Sequence, residues 1–162
     1  MKTKEIAAKI TIFQLSELNE AQKKVVEAAK NATKTSYAPY SRFHVGAAVL
    51  LGNGEIITGS NQENAAYPSG TCAERTAIFY ANAQYPEQPI RMLAVAASKN
   101  GQFTQEVCSP CGACRQVICE AEYRAGAPIE ILLVSDSEVW SFDGIAPLLP
   151  LGFNYDSLKN ES

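Results

Sequence analysis

Two short stretches concentrate side chains able to do chemistry together: Thr71-Cys72-Ala73-Glu74-Arg75 and Ser109-Pro110-Cys111-Gly112-Ala113-Cys114-Arg115. Both read as helix starts. On a helix, Cys111 and Cys114 share one face. A helix N-terminus carries positive partial charge, which lowers thiol pKa and favours the thiolate that zinc takes as a ligand. Three thiolates leave the fourth tetrahedral position to water, and that open position separates a catalytic zinc from a structural one. Glu74, just past Cys72, can reach such a water without being a ligand. A Cys₃ zinc whose last two thiols sit in a P-C-x-x-C element, with a neighbouring Glu as acid and base, is a constellation for metal-assisted hydrolysis.

Each part also has a plainer reading. Thr71 and Glu74 spell a T-x-x-E capping box. A lone C-x-x-C serves redox pairs and halves of structural zinc sites alike. A structural site needs a fourth protein ligand. Cys108 is the stronger nominee. Cys119 follows Cys114 at a spacing that points it to the other side of a helix, where a free thiol packs as a small hydrophobe. His44, the only histidine, falls in an alternating strand pattern and reads as an ordinary strand residue. A redox protein leaves Cys72 and Glu74 idle, and a zinc-stabilised binding module leaves Glu74 without a use.

The elements that must position these residues are legible on either side. From Ser16, apolar Leu18, Ala21, Val25, Val26, Ala28, Ala29 and Ala32 recur near a helical period, and Pro39 closes the region after them. His44 to Leu51 and Glu55 to Gly59 flank Asn53-Gly54, a strong hairpin turn. Asn61 to Gly70 reads as a loop, and Thr71 caps a helix from Cys72 to about Ala83. Ile90 to Ala97 is a continuous apolar run that suits a strand buried on both faces. Ser109-Pro110 starts a helix, serine capping and proline in the first turn, that continues to about Tyr123. Ile129 to Val134 and Val139 to Phe142 supply two more strands. The order α-β-β-α-β-α-β-β predicts a three-layer α/β/α domain around a mixed sheet of about five strands. It is expected as a single catalytic domain over residues 16–162, preceded by an N-terminal extension, residues 1–15, with no assigned structure.

Composition narrows the partners. At 46% hydrophobic and 19% charged residues the chain has a globular balance. A net charge of -3 supplies no basic field for a polyanion, so long nucleic acid is not an expected partner and a small neutral substrate is. No apolar run reaches the ~20 residues of a membrane span, and Lys9 interrupts the only apolar stretch near the start, a poor fit to a signal peptide. An odd set of five cysteines, two of them in C-x-x-C, points to metal or thiol chemistry in the cytoplasm rather than a disulfide framework.

At these residues the sequence resembles the small, homotetrameric form of the cytidine deaminase family. Tyr37-Ala-Pro-Tyr-Ser41 with Phe43 and Val45-Gly-Ala-Ala48 is similar to that family's first strand entry. Asn61-Gln-Glu-Asn-Ala-Ala-Tyr67 is similar to its N-x-E-N nucleoside-binding loop, and the two thiol stretches to its metal motifs. Leu148-Leu-Pro150 followed by Phe153 is similar to its C-terminal signature. The resemblance runs from about Leu18 to Leu158 and omits the stretch before Ser16. It implies one zinc per chain on Cys72, Cys111 and Cys114, with Glu74 as the catalytic proton shuttle. Arg75 is implied to hydrogen-bond the zinc thiolates and offset their negative charge, a role for which Arg115 ranks second. Asn61 and Glu63 are implied at the ribose hydroxyls, with Phe43, Asn64, Tyr67 and Ala73 also at the substrate. Phe153 is implied to reach the site of a neighbouring subunit, so that active sites are shared within a homotetramer. The implied reaction is hydrolysis of cytidine and deoxycytidine to uridine and deoxyuridine, with release of ammonia, in pyrimidine salvage. An acidic Glu63 near the sugar suits free hydroxyls and repels phosphate, which argues against a nucleotide.

Overall fold

In the computed structural model, which describes residues 1–159, the first helix is opened by Asn19 rather than Ser16. Asn19 Oδ1 accepts the Gln22 N–H at 2.9 Å and Gln22 Oε1 accepts the Asn19 N–H at 2.9 Å, a reciprocal cap at the end of the chain's strongest amphipathic segment. Helix α1 then spans Glu20–Ala32, and Ser16 lies in a short 3-10 turn before it. Val25, Val26 and Ala29 face the sheet and are buried. The end of the domain expected to run to Ser162, residues 160–162, lies outside the described residues.

The Asn53-Gly54 turn joins β2 (Phe43–Leu51) to β3 (Ile56–Ser60) as an antiparallel hairpin, with Gly54 at φ 89 where a side chain is disfavoured. Helix α2 (Ala73–Gln84) follows, then β4 (Ile90–Lys99), the two-residue β5 (Gln102–Phe103), α3 (Gly112–Ala125), β6 (Glu130–Val134) and β7 (Glu138–Asp143). With β1 (Thr11–Gln14) at one edge, the sheet order is β1-β7-β6-β4-β2-β3, with β5 paired to β4. Only β4 and β6 run parallel, joined through α3. Five of its seven strands, β2, β3, β4, β6 and β7, are those expected from the sequence. The two additions are β5 and β1 (Thr11–Gln14), which pairs antiparallel with β7, Ile12 opposite Trp140. The N-terminal segment therefore adds an edge strand. Its side chains stay largely exposed, which is why no periodicity announced it.

Strand β4 shows how the layers are held. Leu93 and Val95 point to one face, where they pack with Val49, Ile131 and Leu133 against Ile78 of α2 and Ile118 of α3. Met92, Ala94 and Ala96 point to the other, against Val25, Val26 and Ala29 of α1. Each fully buried Leu, Ile or Val contributes about 1.5–3 kcal/mol, so both faces are strongly specified and the register is fixed. Gly59 sets the distance between β3 and α2. A Cβ there would lie 2.5 Å from the Ala77 nitrogen and 2.6 Å from the Ala73 carbonyl oxygen. Only glycine lets the helix that carries Cys72 and Glu74 lie this close to the sheet.

Candidate active site

The N-termini of α2 and α3 meet. Cys72 is the N-cap of α2 and Cys111 the N-cap of α3, each with extended backbone. The expected caps Thr71 and Ser109 thus lie outside the helices. Pro110 precedes the α3 cap, and its carbonyl instead accepts from Arg115. Cys72 makes no side-chain cap hydrogen bond, because its sulfur turns toward the other thiols. The shift matters for Glu74. It occupies the second helical position rather than the third, so the T-x-x-E capping box does not form, and its side chain is buried at 4% exposure.

The sulfurs of Cys72, Cys111 and Cys114 lie within 4.8 Å of one another, with Cys72–Cys111 at 3.8 Å and Cys111–Cys114 at 3.5 Å. A tetrahedron of ~2.3 Å zinc–sulfur bonds has edges of roughly 3.8 Å, so the thiol set fits a single zinc. Among the described residues no fourth ligand joins the group: Cys108 lies outside it, and its thiol is pushed up to about 11, first by burial and then by the nearby Glu74 and Cys72 charges. Cys119 is further removed, with its Sγ 3.9 Å from the Phe153 carbonyl oxygen. All five cysteines are free.

Electrostatics within the cluster are uneven. The Cys72 thiol is drawn down to about 5, chiefly by its hydrogen bond with Cys114 and further by Arg75, whose Nη2 lies 3.8 Å from Cys72 Sγ. Cys114 is pushed up by the same hydrogen bond and by burial. Burial, and then the Cys72 charge, raise the Glu74 carboxyl above its ordinary range. This is the environment of a group that takes up a proton readily. Arg115 does not join Arg75. Its Nε donates to Pro110 O at 2.8 Å, Nη1 to Leu148 O at 2.6 Å and Nη2 to Ser109 Oγ at 2.9 Å. It ties the backbone just ahead of Cys111 to the C-terminal segment, a use that sequence spacing alone does not show.

A cleft of about 540 Å³ opens beside Cys72 and Arg75. Asn61, Glu63, Asn64 and Tyr67 from the loop after β3 line it, together with Tyr40 and Ser41. The Tyr40 and Tyr67 rings meet edge to face with centroids 6.1 Å apart. Glu63 accepts the Tyr40 N–H at 2.9 Å, the Ser41 N–H at 3.3 Å and the Ser41 hydroxyl. The Ser41 hydroxyl foremost holds the carboxyl below its ordinary range, hence ionised. Other expected site residues stand apart from this cleft. Ala73 is wholly buried at the head of α2. Phe43 heads β2, and its carbonyl, at 2.9 Å from Asn61 Nδ2, is the part engaged with the loop. Phe153 is 57% exposed, with its backbone carbonyl held by Gln116 Nε2 at 2.7 Å. Tyr40 and Ser41 were not singled out as site residues from the sequence. The signal was present in the Y-S pair ahead of Phe43, but its partner Glu63 is 22 positions away.

Three thiols at two helix starts, with no fourth protein ligand among the described residues and a buried carboxylate beside them, define a zinc-dependent hydrolytic site on an α/β scaffold. The family model for the cytidine and deoxycytidylate deaminase zinc-binding region matches residues 19–126. A cytidine deaminase of Sporosarcina psychrophila is 41% identical over 138 residues, covering 84% of this chain and 93% of the relative. The crystal structure of cytidine deaminase from Burkholderia pseudomallei superposes with a TM-score of 0.66 at 38% identity, covering 81% of this chain and 98% of that one. Cytidine deaminase from Mycobacterium tuberculosis gives a TM-score of 0.64 at 30% identity, covering 82% and 96%. The chain belongs to the cytidine and deoxycytidylate deaminase family and carries its zinc-binding region.

Proposed function

We propose that this protein hydrolyses cytidine and deoxycytidine to uridine and deoxyuridine with release of ammonia, using one zinc held by Cys72, Cys111 and Cys114. The observation that carries the reading is the convergence of the three thiols beside buried Glu74, with Cys72 on the wall of a cleft that Asn61 and Glu63 also line. Zinc held there supplies the activation of water that hydrolytic deamination requires near neutral pH. Glu74 carries the proton. It accepts one proton from the attacking water and delivers it to N3 of the pyrimidine, then takes the second from the hydroxyl left on C4 and gives it to the amine, which leaves as ammonia. Arg75 draws charge from Cys72, so three thiolates blunt the metal less. Glu63 and Asn61 hold a sugar hydroxyl and Asn64 and Tyr67 shape the cleft around the nucleoside, while ionised Glu63 disfavours a phosphate.

Active sites are shared between subunits of a homotetramer in this reading. Phe153 presents an exposed ring beyond its own cleft, and Phe79, Tyr80 and Tyr123 leave apolar surface on α2 and α3 for a neighbour to cover. Among the described residues no helix is long and apolar enough to cross a membrane, and five unpaired thiols suit a reducing cytoplasm.

Metal analysis paired with ammonia release from cytidine tests the proposal. One zinc per chain and release of ammonia are expected. A structure with Cys108 on the metal, or a zinc-loaded chain inert toward cytidine and deoxycytidine, overturns it.

A further inference from the structure

Asn61 and Glu63 are each held in one orientation by a serine from the same neighbouring loop. The Ser36 hydroxyl donates to Asn61 Oδ1 at 2.5 Å, and the Val45 N–H donates to that same oxygen at 2.8 Å. With its oxygen claimed twice, the amide must turn its nitrogen the other way. One Nδ2 hydrogen goes to Phe43 O at 2.9 Å, and among the described residues the second has no partner. At Glu63, the Ser41 hydroxyl donates to Oε1, while the Tyr40 and Ser41 N–H groups donate to Oε2. Ser41 Oγ also accepts the Phe43 N–H at 3.0 Å, which pins the hydroxyl itself. A carboxylate offers about four acceptor positions, so three donors leave one open. The two loops are registered by backbone as well, Tyr37 N–H to Asn61 O at 3.0 Å and Glu63 N–H to Tyr37 O at 2.8 Å.

The cleft therefore presents one spare donor on Asn61 and one spare acceptor on Glu63, two residues apart. A group that both donates and accepts matches this pair, and a hydroxyl does so. A methyl or a hydrogen leaves both unmatched and an ether leaves the Glu63 acceptor unmatched, and leaving a polar site unmatched is how binding sites reject analogues that lack a hydroxyl. We propose that Ser36 and Ser41 are positioning residues that fix the geometry of the sugar site, Ser36 joining the Val45 N–H in holding Asn61 as a donor and Ser41 orienting the Glu63 acceptor, so that the enzyme selects nucleosides bearing a free sugar hydroxyl. This rests on the nucleoside reading above and adds the residues that set its selectivity. Without Ser36 the Asn61 amide keeps only the Val45 N–H and the Phe43 carbonyl to hold its orientation. Without Ser41 the carboxylate rotates on its two backbone donors.

The test is steady-state kinetics of zinc-loaded Ser36→Ala, Ser41→Ala and Ser41→Thr chains on cytidine and on 2′,3′-dideoxycytidine, with melting temperature and zinc content measured alongside. The wild-type chain should prefer cytidine. Each alanine variant should raise KM for cytidine by about tenfold, the size of one hydrogen bond to a polar or charged group, with kcat within about twofold. The same variants should change 2′,3′-dideoxycytidine kinetics by less than about twofold, because that substrate has no sugar hydroxyl for the pair to hold. Ser41→Thr, which keeps the hydroxyl, should restore most of the cytidine KM. Equal penalties on both substrates would mean that the serines only support the loop, and would sink the positioning role while leaving the enzyme reading intact. A wild-type chain that turns over cytidine but does not prefer it to the dideoxynucleoside overturns the sugar-site assignment itself.

Discussion

Replacing Glu74 by Gln separates proton transfer from architecture. The side chain is buried at 4% exposure against the thiol cluster, and burial is the first cause of its raised carboxyl. Gln has the same shape and can keep a carbonyl oxygen where the carboxylate sits, so packing should persist. The carboxylate near the α2 N-terminus is favoured by the helix dipole by about 0.3–1 kcal/mol. Losing that is offset by no longer burying a charge, so the melting temperature should move by only a few degrees. Cys72, Cys111 and Cys114 are untouched, so zinc content should stay at one per chain. The amide cannot take up or return a proton. One general acid/base role is worth about 10²–10⁴-fold, or roughly 3–5.5 kcal/mol of barrier. Glu74 is assigned several transfers in one cycle, so the loss in kcat should lie at the upper end or beyond. Ammonia release under saturating cytidine, beside metal analysis and thermal melting, reads all three quantities. Near-normal turnover in a folded, zinc-loaded Glu74→Gln chain would refute the shuttle.

Phe153→Ala should raise KM for cytidine while zinc content and melting stay unchanged, since the ring is exposed on its own chain; mixing it with Glu74→Gln chains should restore partial ammonia release, and none despite proven subunit exchange contradicts shared sites. Gly59→Ala should force α2 from β3 at a cost of about 1–3 kcal/mol, seen as a lowered denaturation midpoint and faster zinc loss to a chelator, because that helix carries Cys72. Glu122 Oε1 accepts the Ile145 N–H at 2.8 Å and the Ile129 N–H at 3.0 Å, and burial foremost raises its carboxyl above the ordinary range. The folded chain thus holds a proton there that the unfolded chain releases, so this contribution is present at acid pH and lost as pH rises through the raised pKa. Glu122→Gln, whose oxygen can still accept both amides, should fold and show a melting temperature that falls less as pH rises above the ordinary carboxyl range, whereas Glu122→Ala should lower stability by leaving both amides unpaired.

The sequence by itself determined the layers, the central strands and the chemistry of the cluster, because these rest on local rules. Periodic apolar residues in α1, continuous apolar runs in β4 and β6, and Asn53-Gly54 each specify one backbone state with little help from the rest of the chain. The C-x-x-C spacing likewise places two thiols on one face wherever that helix lies. Tertiary structure decided what depends on partners far away in the chain. The caps moved from Thr71 and Ser109 to Cys72 and Cys111 because sulfurs from two helices converge, and that shift dissolved the capping box at Glu74. Cys108 was the sequence's stronger nominee for a fourth ligand, and its place outside the thiol group set it aside. Arg115 reaches Leu148, and β1 finds β7, across separations that no local pattern encodes. Ser36 and Ser41 carry no signal as single residues; they acquire a role because folding returns the chain to Asn61 and Glu63, where a hydroxyl within hydrogen-bond reach fixes which way each side chain can point.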